Sequence, residues 1–132
     1  MSLIAIWIDS SHAKVFRFQP DGTAQDEVLK PHGSHHHAEV HGRNHTKAEG
    51  DAEKFYHQVA EHLLREPAAK WLVMGSGLGH THFVHHVQNH HARHAQNILA
   101  NRTTDHLTDG QIKAEARKFF VEQGLIELPQ TT

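Results

Sequence analysis

The residues of this chain best able to do chemistry are imidazoles. Seventeen histidines occur in 132 residues, and there is no cysteine, so any transition metal would be held by histidine and carboxylate ligands. Six of the histidines, His32, His35, His36, His37, His41 and His45, crowd into one polar stretch. Imidazoles at this density hold zinc, nickel or copper when three or four rings converge. The spacing His37-x-x-x-His41-x-x-x-His45 would align three rings on one side of a helix, whereas Gly33 and Gly42 favour irregular backbone. His35, His37, His41 and His45 are therefore the metal candidates, with zinc or nickel as the ion, although no motif requires a cofactor. A polar histidine-rich loop without a ligand and a loop facing RNA are the alternative readings of the same composition.

A second series, His82, His86, His90 and His94, recurs every four residues, so neighbouring pairs could chelate a metal from one helix face. At about 100° per residue, Phe83, Val84 and Val87 define the inner face. His91 then falls near its centre, His90 and His94 at its flank, and His82, His85, His86, Asn89 and Arg93 outside. The expectation is a hydrogen-bonded core or boundary histidine at 91 and an ordinary solvated face for the outer set, with adventitious metal binding as the alternative. Gly75-Ser76-Gly77-Leu78-Gly79 sits where a strand passes into a helix, a place that can receive phosphate. It lacks the Lys-Ser/Thr ending of a P-loop and the full Rossmann spacing, so it reads as a tight structural turn. Asp9 is expected to accept hydrogen bonds from the turn Ser10-Ser11-His12.

Thirteen Lys plus Arg against fifteen Asp plus Glu give a net charge of -2, without the basic excess of dedicated nucleic-acid binders. Below about pH 6.5 the imidazoles gain charge together and the chain turns cationic. No run approaches the roughly 20 apolar residues of a membrane span, and no basic region precedes the apolar N-terminal stretch. These features predict a soluble cytoplasmic protein with no membrane partner. At 37% hydrophobic content, residues 1–132 suit a single domain with one histidine-rich loop at about 31–50. No heptad run marks an oligomer.

The elements that must position these groups follow from periodicity. Leu3-Ile4-Ala5-Ile6-Trp7-Ile8 is a nearly continuous apolar run, as in a central strand, and Ala13 to Phe18 alternates as its hairpin partner. Pro20-Asp21-Gly22 closes that strand, and a third strand is expected at Glu27 to Lys30. Pro31 to Gly50 has no apolar period and reads as a long loop. From Asp51 to Glu66, Phe55, Val59 and Leu63 repeat at helical spacing, and Pro67 ends the helix. Lys70 to Met74 reads as a strand, His80 to Ala95 as a second helix, and Asn97 to Thr103 as a further strand. Thr108 and Gln111 form a capping box for a third helix, with Leu107 against Ile112 as its staple. Ile112, Ala116, Phe119 and Phe120 make its inner face, and Gly124 is placed to end it in a left-handed conformation.

Four segments in this order resemble one known family. They are the opening hairpin Trp7-Ile8-Asp9, His41-Gly42-Arg43 before the first helix, Gly75-Ser76-Gly77 before the second, and Thr104-Asp105-His106-Leu107-Thr108-Asp109-Gly110-Gln111 before the third. Across residues 3–122 the chain is similar to the middle domain of eukaryotic and archaeal class-I peptide release factors and of Pelota, and more closely to small bacterial one-domain translational machinery proteins. The resemblance implies a ribonuclease H-like α/β fold, with a central mixed sheet opened by an N-terminal β-hairpin and flanked by three helices. It also implies a translation-associated binding module that contacts the ribosome, tRNA or a ribosome-associated protein through the loop His41, Gly42, Arg43, Asn44 and His45.

In release factors the motif after His-Gly-Arg is Gly-Gly-Gln, which positions water against the peptidyl-tRNA ester. Here Asn44-His45-Thr46 stands there, without the glycines that let backbone approach a substrate. Peptide release is therefore not expected. A ribonuclease H-type nuclease needs several carboxylates around two cations, and only Asp9 is clearly placed for one. The chain thus reads as a binding module rather than an enzyme, with a histidine-rich transition-metal binder as the alternative. A hydrolase using His45 as general base is the third class.

Overall fold

Leu3–Ile8 forms β1 with every side chain buried, because a central strand of apolar residues must be covered on both faces. The computed structural model describes residues 2–31 and 45–126, with residues 45–49 described by their backbone alone. β1 pairs antiparallel with β2 (Ala13–Phe18), from Leu3 opposite Phe18 to Ile8 opposite Ala13. β2 pairs antiparallel with β3 (Ala24–Leu29) through a turn in which Asp21 Oδ1 accepts from the Thr23 N–H and hydroxyl. On its other side β1 lies parallel to β4 (Lys70–Gly75), which lies parallel to β5 (Ile98–Thr103). The result is a mixed five-stranded sheet in the order β3-β2-β1-β4-β5.

The period of two along β1 divides the core. Ile4, Ile6 and Ile8 join Phe55, Tyr56, Val59, Ala60 and Leu63 of α1 (His45–Leu63) and Phe83, Val84 and Val87 of α2 (Gly79–His90). Leu3, Ala5 and Trp7 join Ile112, Ala116, Phe119 and Phe120 of α4 (Asp109–Glu122). Helices therefore cover both sheet faces. The α/β class, the mixed sheet and the opening hairpin agree with the expectation from sequence.

Several expected boundaries differ. β3 begins at Ala24, not Glu27, since pairing with β2 sets its length while its exposed residues give no apolar alternation. α1 begins at His45, inside the stretch read as loop, and ends at Leu63, three residues before Glu66. The second helix is interrupted at His91, so α2 is followed by a separate turn of helix, α3 (Ala92–Ala95). The described residues thus hold four helical segments where three were expected. The last strand starts at Ile98, one residue after Asn97.

α4 matches its local signals. Thr108 accepts from the Gln111 N–H while the Gln111 side chain accepts from the Thr108 N–H. At the other end, Gly124 has φ +74°, its N–H donates to the Val121 carbonyl, and the Leu125 N–H donates to that of Phe120. This is a Schellman cap. No helix among the described residues is long and apolar enough to cross a membrane.

A candidate histidine centre at the seam of two helices

The inner faces of α1 and α2 meet through aromatic contacts: Phe83 lies edge-on to Tyr56 at 6.3 Å and stacks on Trp71 at 6.2 Å. Residues flanking those faces are brought together by the same packing. From α1 these are Glu53 and His57, and from α2 they are His86 and His90. His91 joins them because α2 stops there. Its backbone leaves the helical region at φ -137°, ψ 49°, while its N–H still donates to the Val87 carbonyl at 2.8 Å.

The His57 ring stacks on that of His91 at 5.6 Å and meets that of His86 edge-on at 5.5 Å, and His86 lies 5.8 Å from His91. His90 adds a fourth ring 4.5 Å from His86. Among the described residues, two sets of three groups each bring one ligand atom within 4.8 Å of the others: His57, His86 and His91, and Glu53, His86 and His90. His86 is only 6% exposed, and its Nδ1 lies 3.2 Å from Glu53 Oε1. The Nε2 atoms of His86 and His91 are both buried, and neither has a hydrogen-bond partner among the described residues. Burial first, and then the neighbouring His86 and His57 rings, hold His91 below the usual imidazole range. A cluster of this kind can take up a cation or, if protonated, must separate. Beside it a groove of about 450 Å³ is lined by Glu53, Tyr56, His82, His85, His86 and residues of the β1–β2 turn and α1.

The strand ends carry a different arrangement. Asp9 Oδ1 accepts from the Ser11 N–H at 2.8 Å, the His12 N–H at 2.9 Å and the Ser11 hydroxyl at 3.1 Å, the turn role expected for it. Partial burial would raise the Asp9 carboxyl, but these donors and nearby His12 outweigh it and hold it below the usual value. Trp7 sits between His12 and His106, and its indole N–H donates to Thr104. Residues 76–78 turn β4 into α2, with Gly77 at φ +66°.

Of the residues nominated from sequence, His35, His37, His41, Gly42, Arg43 and Asn44 lie outside the described residues, and His45 is described only as the first backbone position of α1. Two expectations for the second helix are corrected. His86 is buried rather than solvated, because α1 packs over it. His91 does lie at the boundary, but its Nε2 has no hydrogen bond among the described residues. Neither His57 nor Glu53 was singled out from the sequence. Their signal was weak: each borders Phe55 or Tyr56 on the edge of an amphipathic face, and only the angle between the helices decides what that edge meets.

Neither a protein-family model nor a curated protein sequence matches the chain. Solved structures do. The Pelota protein of Thermoplasma acidophilum superposes with a TM-score of 0.58 at 14% identity, over 95% of this chain and 33% of that one. Archaeoglobus fulgidus Pelota gives 0.56 at 12% identity, over 92% of this chain and 31% of that one. The archaeal translation termination factor aRF1 gives 0.57 at 12% identity, over 94% and 40%. The chain thus has the fold of a portion of these proteins, as the resemblance in sequence implied, and spans about a third of the length of the Pelota chains.

Proposed function

We propose that this domain is a translation-associated binding module that contacts the ribosome, tRNA or a ribosome-bound factor through His41, Gly42, Arg43, Asn44 and His45. The observation that carries this reading is the fold likeness to Pelota and to a translation termination factor over more than nine-tenths of the chain. The retained His41-Gly42-Arg43 supports the choice of segment, which in the sequence lies between β3 and α1 and ends on the first residue of α1. Asn44-His45-Thr46 in place of Gly-Gly-Gln makes the module one that binds without releasing peptide. A cytoplasmic location accompanies this role.

The test is cosedimentation of the purified protein with ribosomes and separated subunits across a salt series, with and without a chelator. Saturable binding that survives chelation is expected. Arg43→Ala should weaken it and reduce the salt slope by about one if that side chain meets a phosphate. Cosedimentation unchanged by Arg43→Ala and His45→Ala would refute the loop assignment, and no binding at physiological salt would refute the function.

A further inference from the structure

We propose that His57, His86 and His91 form a binding site for one divalent transition-metal ion of the zinc or nickel class, closing over the seam between α1 and α2. This site shares no residue with the histidine-rich loop and is independent of the translation reading.

The three imidazoles come from two helices and from the break that ends the second, so convergence is a product of tertiary packing rather than of local composition. Imidazole nitrogen is a preferred donor for these ions, whereas magnesium and calcium favour oxygen. Tetrahedral zinc at 2.0–2.1 Å from each nitrogen sets the nitrogens about 3.4 Å apart. The present separations of up to 4.8 Å therefore need a closure of about 1.4 Å at most. His57, whose side chain is 51% exposed, can make that movement by giving up an exposed contact of its Nε2 with Glu61 at 3.5 Å, and leaves a path from solvent.

Two further observations point to a cation. Buried polar atoms are rarely left without a partner, yet the Nε2 atoms of both His86 and His91 are, among the described residues. Behind His86 stands Glu53, whose carboxylate accepts from Nδ1 at 3.2 Å. A proton held on Nδ1 leaves the lone pair on Nε2, the buried atom that has no partner among the described residues. A carboxylate in that position fixes the tautomer of a metal-ligating histidine and strengthens it as a donor. Glu53 is thereby a positioning residue, which selects the three-imidazole set over Glu53, His86 and His90.

Calorimetric titration with Zn²⁺ or Ni²⁺ at pH 7.5 tests this. The background is the 132-residue chain carrying His32→Gln, His35→Gln, His36→Gln, His37→Gln, His41→Gln and His45→Gln, so that chelation by those histidines cannot contribute. The expected result is one ion per chain, removable by chelator, and a thermal midpoint raised by the metal. His57→Ala and His91→Ala should each weaken binding at least tenfold and abolish the thermal shift. Glu53→Gln should weaken it about 10- to 100-fold. His90→Ala should leave it unchanged. Because His57 is exposed, its removal spares the core and keeps the test decisive even if His86→Ala fails to fold. Weak binding spread over several sites, affinity untouched by His57→Ala and His91→Ala, or loss through His90→Ala instead would each overturn the assignment.

Discussion

Where β1 ends, the chain that follows β4 approaches its backbone so closely that a single side-chain carbon is too much. A Cβ on Gly75 would lie 2.4 Å from the Ile8 carbonyl oxygen, and one on Gly79 would lie 2.9 Å from the Asp9 Cα. Both obstacles are backbone at the end of the central strand β1 and in the residue that follows it, which cannot yield cheaply. Gly75→Ala should therefore destabilise by about 1–3 kcal/mol. Gly110→Ala is its control: that glycine lies in the first turn of α4 with nothing within 4 Å, and alanine there should stabilise by up to about 1 kcal/mol. Urea midpoints of the two variants should move in opposite directions. The same region buries His80, 2% exposed, whose Nδ1 donates to Asn101 Oδ1 at 2.5 Å while its Nε2 accepts from Thr103 at 3.1 Å. Asn101→Ala removes one partner of a buried ring and should cost about 1–3 kcal/mol, against near-neutrality for a typical exposed position. Equal midpoints for Asn101→Ala and the parent would show that His80 is satisfied in another way.

At the scale of elements, α4 depends on local chemistry and the α1–α2 pair on what surrounds it. Thr108→Ala dismantles the capping box and should lower stability by about 1 kcal/mol, read as a shift in the thermal or urea midpoint. That boundary was legible from Thr108, Gln111 and Gly124 because capping groups act within a turn or two of the backbone they satisfy. β3 was legible only in part: it lies at the sheet edge, and exposed Gln25, Asp26 and Val28 leave no alternation to read. The start of α1 at His45 was hidden because apolar spacing begins further along. The interruption at His91 carries no proline or glycine signal, and periodicity ran straight through it.

For the whole molecule, one ionic network ties the β3 edge to the end of α1. The Arg17 guanidinium pairs with Glu27 on β3 and, at 2.7 Å, with Glu66, while His62 contacts Glu27 at 2.8 Å. Burial alone would raise the Glu27 carboxyl, but hydrogen bonds from Arg17 and His62 outweigh it and hold it low. Hydrogen bonds from Arg17 and Ser2 likewise hold Glu66 below its ordinary value. Since both carboxyls are depressed in the folded chain, the unfolded chain binds protons first as the pH falls. The stability they contribute is fully present above about pH 4.5 and is lost as pH drops through their lowered folded values. Urea denaturation from pH 7 to pH 3 should show this decline, and Arg17→Met should flatten it. An acid limb of equal steepness in Arg17→Met would assign the loss to other carboxylates.

The sequence by itself determined the α/β class, the opening hairpin, the buried strands and the caps of α4, because each is written in apolar periodicity or in groups that act on neighbouring backbone. It also singled out histidine as the chemistry of the chain and four segments, His41-Gly42-Arg43 among them, as the points of resemblance to translation factors. Only the tertiary structure decided which histidines meet. His57, His86 and His91 converge because α1 packs across α2 and because α2 stops where it does, and a helix-to-helix crossing is fixed by the whole core rather than by any spacing along the chain.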